Sequence, residues 1–173
     1  MPQVNTTNLI EFIIVLQIVH LQEENEPVSE GQCRDRLGHY PPVIYNQVTC
    51  AACYMYLFPT AKMLAHQRYL IPKTNDTGLP PYFSVDHTNE TIKSMVCSTL
   101  DNDQCQRWVY CCQAAVECCT RQLSTTYSSD GPVCPRTWDG FSCWDDAEPD
   151  QEVFTRCPGY LQHAIPACKY LYL

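Results

Sequence analysis

The chain has 173 residues, 13 of them cysteine, and a formal net charge of −8. That length holds one ordinary domain or two small ones. The cysteine density points to an oxidising compartment, secreted or at a cell surface, and away from a reduced cytosolic protein. The negative charge makes nucleic acid and anionic lipid poor partners and weakly favours a basic ligand.

The first element is an apolar run within "NLIEFIIVLQIVHLQ", Asn8 to Gln22. It is shorter than the roughly 20 residues that span a bilayer and fits the apolar region of a signal peptide over residues 1–22. Glu11 interrupts the run and no Lys or Arg precedes it, so an uncleaved anchor and a buried helix stand as alternatives. Sequons at Asn5, Asn75 and Asn89 suit a secreted chain; Asn5 would leave with the leader, so Asn75 and Asn89 are the glycosylation candidates. No other segment approaches 18 consecutive apolar residues, the length a membrane helix requires.

Residues 23–32 are acidic and polar, as in a linker. Residues 33–100 carry four cysteines, Cys33, Cys50, Cys53 and Cys97, between Pro and Gly breaks. A helical piece is expected in "CAACYMYLFPTAKMLAHQRYL" (50–70), kinked or ended at Pro59. Cys50 and Cys53 form a CxxC, but no strand-helix-strand frame surrounds them, so structural disulfides are expected rather than a catalytic dithiol. The single CxxC has no second knuckle and no nearby histidine in the sequence, so no metal ligand is assigned.

Residues 101–123 predict an amphipathic helix with an Asp-rich start. On a wheel centred on Cys112, the positions Cys105, Trp108, Val109, Ala115, Val116, Cys119 and Leu123 share the broad apolar face, with Cys111 and Cys118 on its flank. Cys112 and Cys119 lie about 10 Å apart along such a helix, beyond the roughly 7 Å reach of a disulfide. The core-facing cysteines therefore need partners on packed elements. "STTYSSDGPV" then ends the helix.

"CPRTWDGFSCWDD" (134–146) holds an Asp-Gly pair between β-formers, a hairpin signal. With Asp139 and Gly140 at the two central turn positions, Trp138 would face Phe141 and Arg136 would face Cys143. Cys134, Arg136, Trp138, Phe141 and Cys143 would share one face, with Pro135, Thr137, Ser142 and Trp144 on the other. Cys134 and Cys143 would be diagonal neighbours about 7–8 Å apart, so each must seek a separate, distant partner.

These residues resemble the extracellular hormone-receptor domain of secretin-family (class B) G-protein-coupled receptors. The resemblance rests on a Cys-bearing helix, then Cys134, Trp138, Asp139, Cys143 and Trp144, then Cys157-Pro158 with Tyr160. "GPVCPRTWDG" with "CWDD" looks most like the calcitonin-receptor and pigment-dispersing-factor-receptor branches. It implies an α+β fold, small and disulfide-rich, in which an N-terminal helix packs on antiparallel β-hairpins, here with the second hairpin incomplete and an irregular Cys-containing N-terminal extension. The domain boundaries are 23–100 for linker and extension, 101–168 for the partial peptide-binding domain and 169–173 for a tail outside the family pattern.

The family links its six cysteines 1–3, 2–5 and 4–6. By resemblance Cys134 is the second, Cys143 the third and Cys157 the fourth. Cys119 is the choice for the first, with Cys118 and Cys112 as alternatives, and Cys168 is a candidate fifth with no sixth to follow. Asp139 matches a buried acid that ties the hairpin turn. Trp138, Gly140, Trp144 and Pro158 are read as structural. Trp108, Phe141 and Tyr160 are the peptide-binding candidates. The chain departs from the pattern after Tyr160, and Asp150 stands where glycine is usual, which suggests a truncated receptor ectodomain: a fragment, a splice form or an imperfect gene model.

The implied function is binding of a peptide hormone or neuropeptide on the extracellular side of the plasma membrane. Membrane attachment and G-protein coupling would belong to a full-length receptor. A soluble secreted decoy or structural protein is the alternative. No HExxH, GxSxG, Cys-His constellation or phosphate-binding glycine loop occurs, so the expectation is a non-enzyme with no catalytic residue and no cofactor.

Overall fold

A computed structural model describes residues 31–75, 78–124, 133–162 and 170–172. The expected leader, Asn5 and Cys168 lie outside the described residues. The order is β1 (Cys33–Asp35), β2 (Gly38–Tyr40), α1 (Pro42–Leu57), β3 (Met63–His66), β4 (Tyr69–Pro72), β5 (Phe83–Ser84), α2 (Glu90–Cys97), α3 (Asn102–Ser124), β6 (Thr137–Trp138), β7 (Cys143–Trp144), β8 (Phe154–Arg156), α4 (Gly159–Gln162) and β9 (Tyr170–Tyr172). The fold is α+β, with helices packed on antiparallel strands and five disulfides between described residues.

The extension is more regular than its sequence suggests. Pro42 opens α1 at a position where a missing N–H is harmless, and the helix ends at Leu57, before Pro59. The segment after Pro59 is strand: β3 and β4 pair antiparallel across a turn in which Gln67 takes φ 51°. The expected helix over 50–70 is therefore half correct; the chain leaves the helix before Pro59, and the remainder forms a hairpin that buries Met63 and Leu70. Asn89 caps α2, its side chain accepting from the N–H groups of Thr91 and Ile92 at 3.0 and 3.2 Å.

The long helix α3 spans Asn102–Ser124, close to the expected 101–123. α1 packs along one side of it, and Trp108, fully buried, donates its indole N–H to the Cys50 carbonyl at 3.0 Å. Cys50–Cys112 and Cys53–Cys111 staple the two helices, Cys33–Cys119 ties β1 to α3, and Cys97–Cys105 joins α2 to α3. Cys50 and Cys53 are thus structural, each bonded to α3 and not to each other. One core runs through both halves of the chain, from Cys33, Tyr45 and Tyr54 to Trp108 and Trp138.

The main sheet has the order β2-β1-β6-β7. β1 and β2 come from the extension, and β1 lies parallel to β6, with Asp35 opposite Trp138. The extension therefore adds two strands to the first hairpin of the C-terminal part. Gln122 seals the junction: the Arg34 N–H donates to its Oε1 at 2.6 Å, and its Nε2 donates to the Arg34 carbonyl at 2.9 Å. A side-chain amide in this way satisfies one residue of a strand edge. The second hairpin is also present as strands: β8 pairs β9 antiparallel, Phe154 opposite Tyr172.

Candidate functional site

The first hairpin departs from its expected register. Trp138 pairs with Cys143 and Thr137 with Trp144, so the loop has four residues, Asp139 to Ser142, instead of two. The shift is even, so every ladder side chain keeps its face, and Phe141 and Ser142 leave the ladder for the loop. Asp139 explains the longer turn. Its carboxylate accepts from the N–H groups of Phe141 at 2.7 Å and Ser142 at 2.6 Å and from the Trp144 indole at 2.8 Å. Asp139 is half-buried, less enclosed than expected, and its tying role is as expected. Trp138 and Trp144 are each 2% exposed and serve the core.

The cysteine assignments need two corrections. Cys143 bonds Cys118, while Cys119 bonds Cys33. The wheel placed Cys119 on one broad apolar face, but α3 is covered on two sides: Cys119 faces β1, and Cys118, about 100° around the helix, faces β7. Cys134 forms no disulfide and is exposed; it is held in a bridge to Ala147 by backbone bonds of 2.8 and 2.9 Å. Cys157 is disulfide-bonded and buried. Cys50, His87 and Cys112 bring three potential ligand atoms within 4.8 Å, with Cys50 Sγ 3.6 Å from His87 Nδ1. The two sulfurs are joined as a disulfide, so the cluster offers a metal only the imidazole. The fold brings this histidine to a CxxC from which it is distant in sequence.

Below the hairpin lies an open groove of about 360 Å³ between α3, β7, β8 and α4. Glu117 and Arg121 of α3, Cys143, Arg156, Pro158 and Tyr160 are among its walls. Arg121 spans one rim, its Nε 3.1 Å from Asp145 Oδ1 and an Nη donating to the Cys143 carbonyl at 3.1 Å. Tyr160 is buried, and its hydroxyl donates to the Phe141 carbonyl at 2.5 Å. Burial, then the nearby Asp139 charge, pushes the Tyr160 phenol above its ordinary range, so it stays a neutral donor. Its lining mixes apolar surface from Ala114, Pro158 and Tyr160 with charged side chains of both signs, Glu117, Arg121 and Arg156. Such a lining can hold a ligand that presents both apolar and charged groups.

Of the peptide-binding candidates, Tyr160 lines the groove and Phe141 is half-buried beside it. Trp108 is corrected: at 0% exposure between α1 and the body of α3 it cannot meet a ligand. Gly140 is buried at the turn and Pro158 lines the groove. Asn75 and Asn89 are exposed. Sequence reasoning missed the ion pair of Arg136 with Asp146, both largely enclosed. The Arg136 N–H donates to Asp146 Oδ1 at 2.7 Å, its Nε to Oδ2 at 2.9 Å and an Nη to the Gln122 carbonyl at 3.1 Å. The only signal was an arginine placed on a face otherwise occupied by core residues.

Residues 131–172 match the family model of the hormone receptor domain. Among curated proteins, the G-protein coupled receptor seb-2 of Caenorhabditis elegans is 24% identical over 165 residues, covering 75% of this chain and 32% of that receptor. That coverage cannot fit within residues 131–172, so the likeness reaches into the N-terminal part. The calcitonin gene-related peptide type 1 receptor of Danio rerio is 44% identical over 50 residues, 28% of this chain and 11% of that protein. The growth hormone-releasing hormone receptor of Sus scrofa is 50% identical over 42 residues, 24% of this chain and 10% of that receptor. The chain thus spans about a third of the length of the first of these relatives and about a tenth of the others. No solved structure matches it. Over its last quarter the chain is therefore similar to the hormone receptor domain.

Proposed function

We propose that the chain is the extracellular peptide-binding region of a class B receptor, taking a peptide hormone or neuropeptide as an amphipathic helix in the groove between α3 and the hairpins. The observation that carries this reading is the groove itself, bordered by the matched domain and open to solvent. The apolar part of the lining, Ala114, Pro158 and Tyr160, supplies burial for the apolar face of such a helix, and the net charge of −8 favours the approach of a basic peptide. Placement on the outer face of the plasma membrane, and coupling to a G protein through a membrane region elsewhere in a longer protein, belong to the same proposal.

The test is direct. The full chain is secreted from an oxidising host, its disulfides are checked by mass, and its binding to a panel of C-terminally amidated neuropeptides, calcitonin included, is measured by calorimetry. Saturable binding of at least one peptide is expected. A folded, oxidised sample that binds none of the panel would sink the reading.

A further inference from the structure

One part of the extension reaches the hairpin turn. Tyr56, on the last turn of α1, places its ring 5.5 Å from that of Phe141, tilted at 42°. The Arg36 guanidinium stacks 5.2 Å from the Tyr56 ring centre. Gly140 makes room for the contact: a Cβ there would lie 2.7 Å from Tyr56 Cε2. The Arg36 N–H donates to the Trp138 carbonyl at 3.1 Å, so Arg36 is fixed at its backbone. Both mounts are rigid, since Cys53–Cys111 holds the helix that carries Tyr56 and Cys33–Cys119 holds the strand that leads to Arg36.

The cluster is not closed. Arg36 is exposed, and Tyr56 and Phe141 are each half-buried. It is joined to the groove through Tyr160, which lines that groove and bonds the Phe141 carbonyl. An aromatic pair with a guanidinium above it offers apolar area at low entropic loss and fixed donors beside it. Such a ledge takes an apolar side chain flanked by a hydrogen-bond acceptor.

We propose that the N-terminal extension contributes to ligand selection in cis, with Tyr56 and Arg36 acting beside Phe141 as specificity-determining residues at the end of the peptide groove. The inference rests on the peptide-receptor reading above. It assigns to the extension a role that the hormone receptor domain match, which begins at residue 131, does not cover.

The experiment uses the full oxidised chain as wild type, Tyr56→Ala, Tyr56→Phe and Arg36→Ala, against the same peptide panel. Tyr56→Ala is expected to weaken the best-bound peptide by about tenfold, the worth of one buried aromatic contact, and others less, so that the ranking contracts. Tyr56→Phe should keep the ranking to within about twofold, because only the hydroxyl is lost. An unchanged ranking in Tyr56→Ala, or equal weakening of every peptide, overturns the proposal, the second result being that of a merely structural contact. Should Tyr56→Ala fail to fold, Arg36→Ala at its exposed position decides, and an unchanged ranking there overturns the inference. Binding of no peptide by the wild type removes the peptide-receptor reading and this inference together, whereas binding by the wild type with indifferent variants removes this inference alone.

Discussion

At the scale of single residues, two turns carry consequences that can be measured. Gly140 has φ +100° and no space for a Cβ beside Tyr56. Gly140→Ala therefore meets a backbone penalty of roughly 1–3 kcal/mol and a steric one. In urea titrations it should lose about 2–3 kcal/mol, and about 1 kcal/mol less in a Tyr56→Ala background, where the steric part vanishes. Equal losses in both backgrounds would show that Tyr56 does not press on the turn. Asp35 governs the other turn. It is 5% exposed, and its Oδ1 accepts the N–H groups of Leu37 at 2.7 Å and Gly38 at 3.0 Å. Desolvation raises its pKa above the ordinary 3.8, against the lowering effect of those two bonds and of Arg36. A raised folded value means the folded state holds the proton more tightly. The stabilisation it gives is complete below 3.8 and is lost as pH rises through the raised value. Asp35→Asn keeps the acceptor oxygen and cannot titrate. Its urea midpoint should be flatter with pH than that of the wild type across that window, and identical slopes would contradict the assignment.

At the scale of elements, α3 explains both what the sequence shows and what it hides. The helix, its length and its buried centre at Trp108, Cys112 and Ala115 follow from a period of 3.6 alone. The choice between Cys118 and Cys119 does not, because a wheel assumes one buried face and this helix has two. Leu123 makes the same point: it sits on the computed face and is 44% exposed, while Gln122 is 5% exposed because it bonds β1. The hairpin is similar. Asp-Gly located the turn, but the three bonds of the Asp139 carboxylate set its length. The two staples between α1 and α3 are nested, closing 58 and 62 residues. With one in place the other closes a loop of only a few residues, so removing Cys53–Cys111 by Ser substitution should cost about 2 kcal/mol. Removing both should cost about 6 kcal/mol, more than twice as much. Additive losses in guanidinium titrations would mean that the denatured chain does not feel the shared loop.

At the scale of the whole molecule, the sequence suggests an extension followed by a domain, and the structure joins them through one core. The composition shift near residue 100 is a change in cysteine spacing and charge; it carries no information on packing across it. Four cysteines of the C-terminal part, Cys105, Cys111, Cys112 and Cys119, find their partners before residue 100. Trp108 and Ala115 are covered by the same segment, and β6 loses its neighbour β1 if that segment is removed. A chain of residues 101–173 would thus expose a fully buried tryptophan and release four thiols in an oxidising compartment. Exposed apolar surface of that kind drives association, and unpaired thiols exchange with any disulfide within reach. Secreted alone, this segment should appear as mixed disulfide-linked species that bind the dye ANS. The full chain should run as one sharp oxidised band on a non-reducing gel. A monomeric 101–173 segment with sharp, dispersed amide resonances would show that this segment folds by itself, and that the residues before it are an addition and not a part of its core.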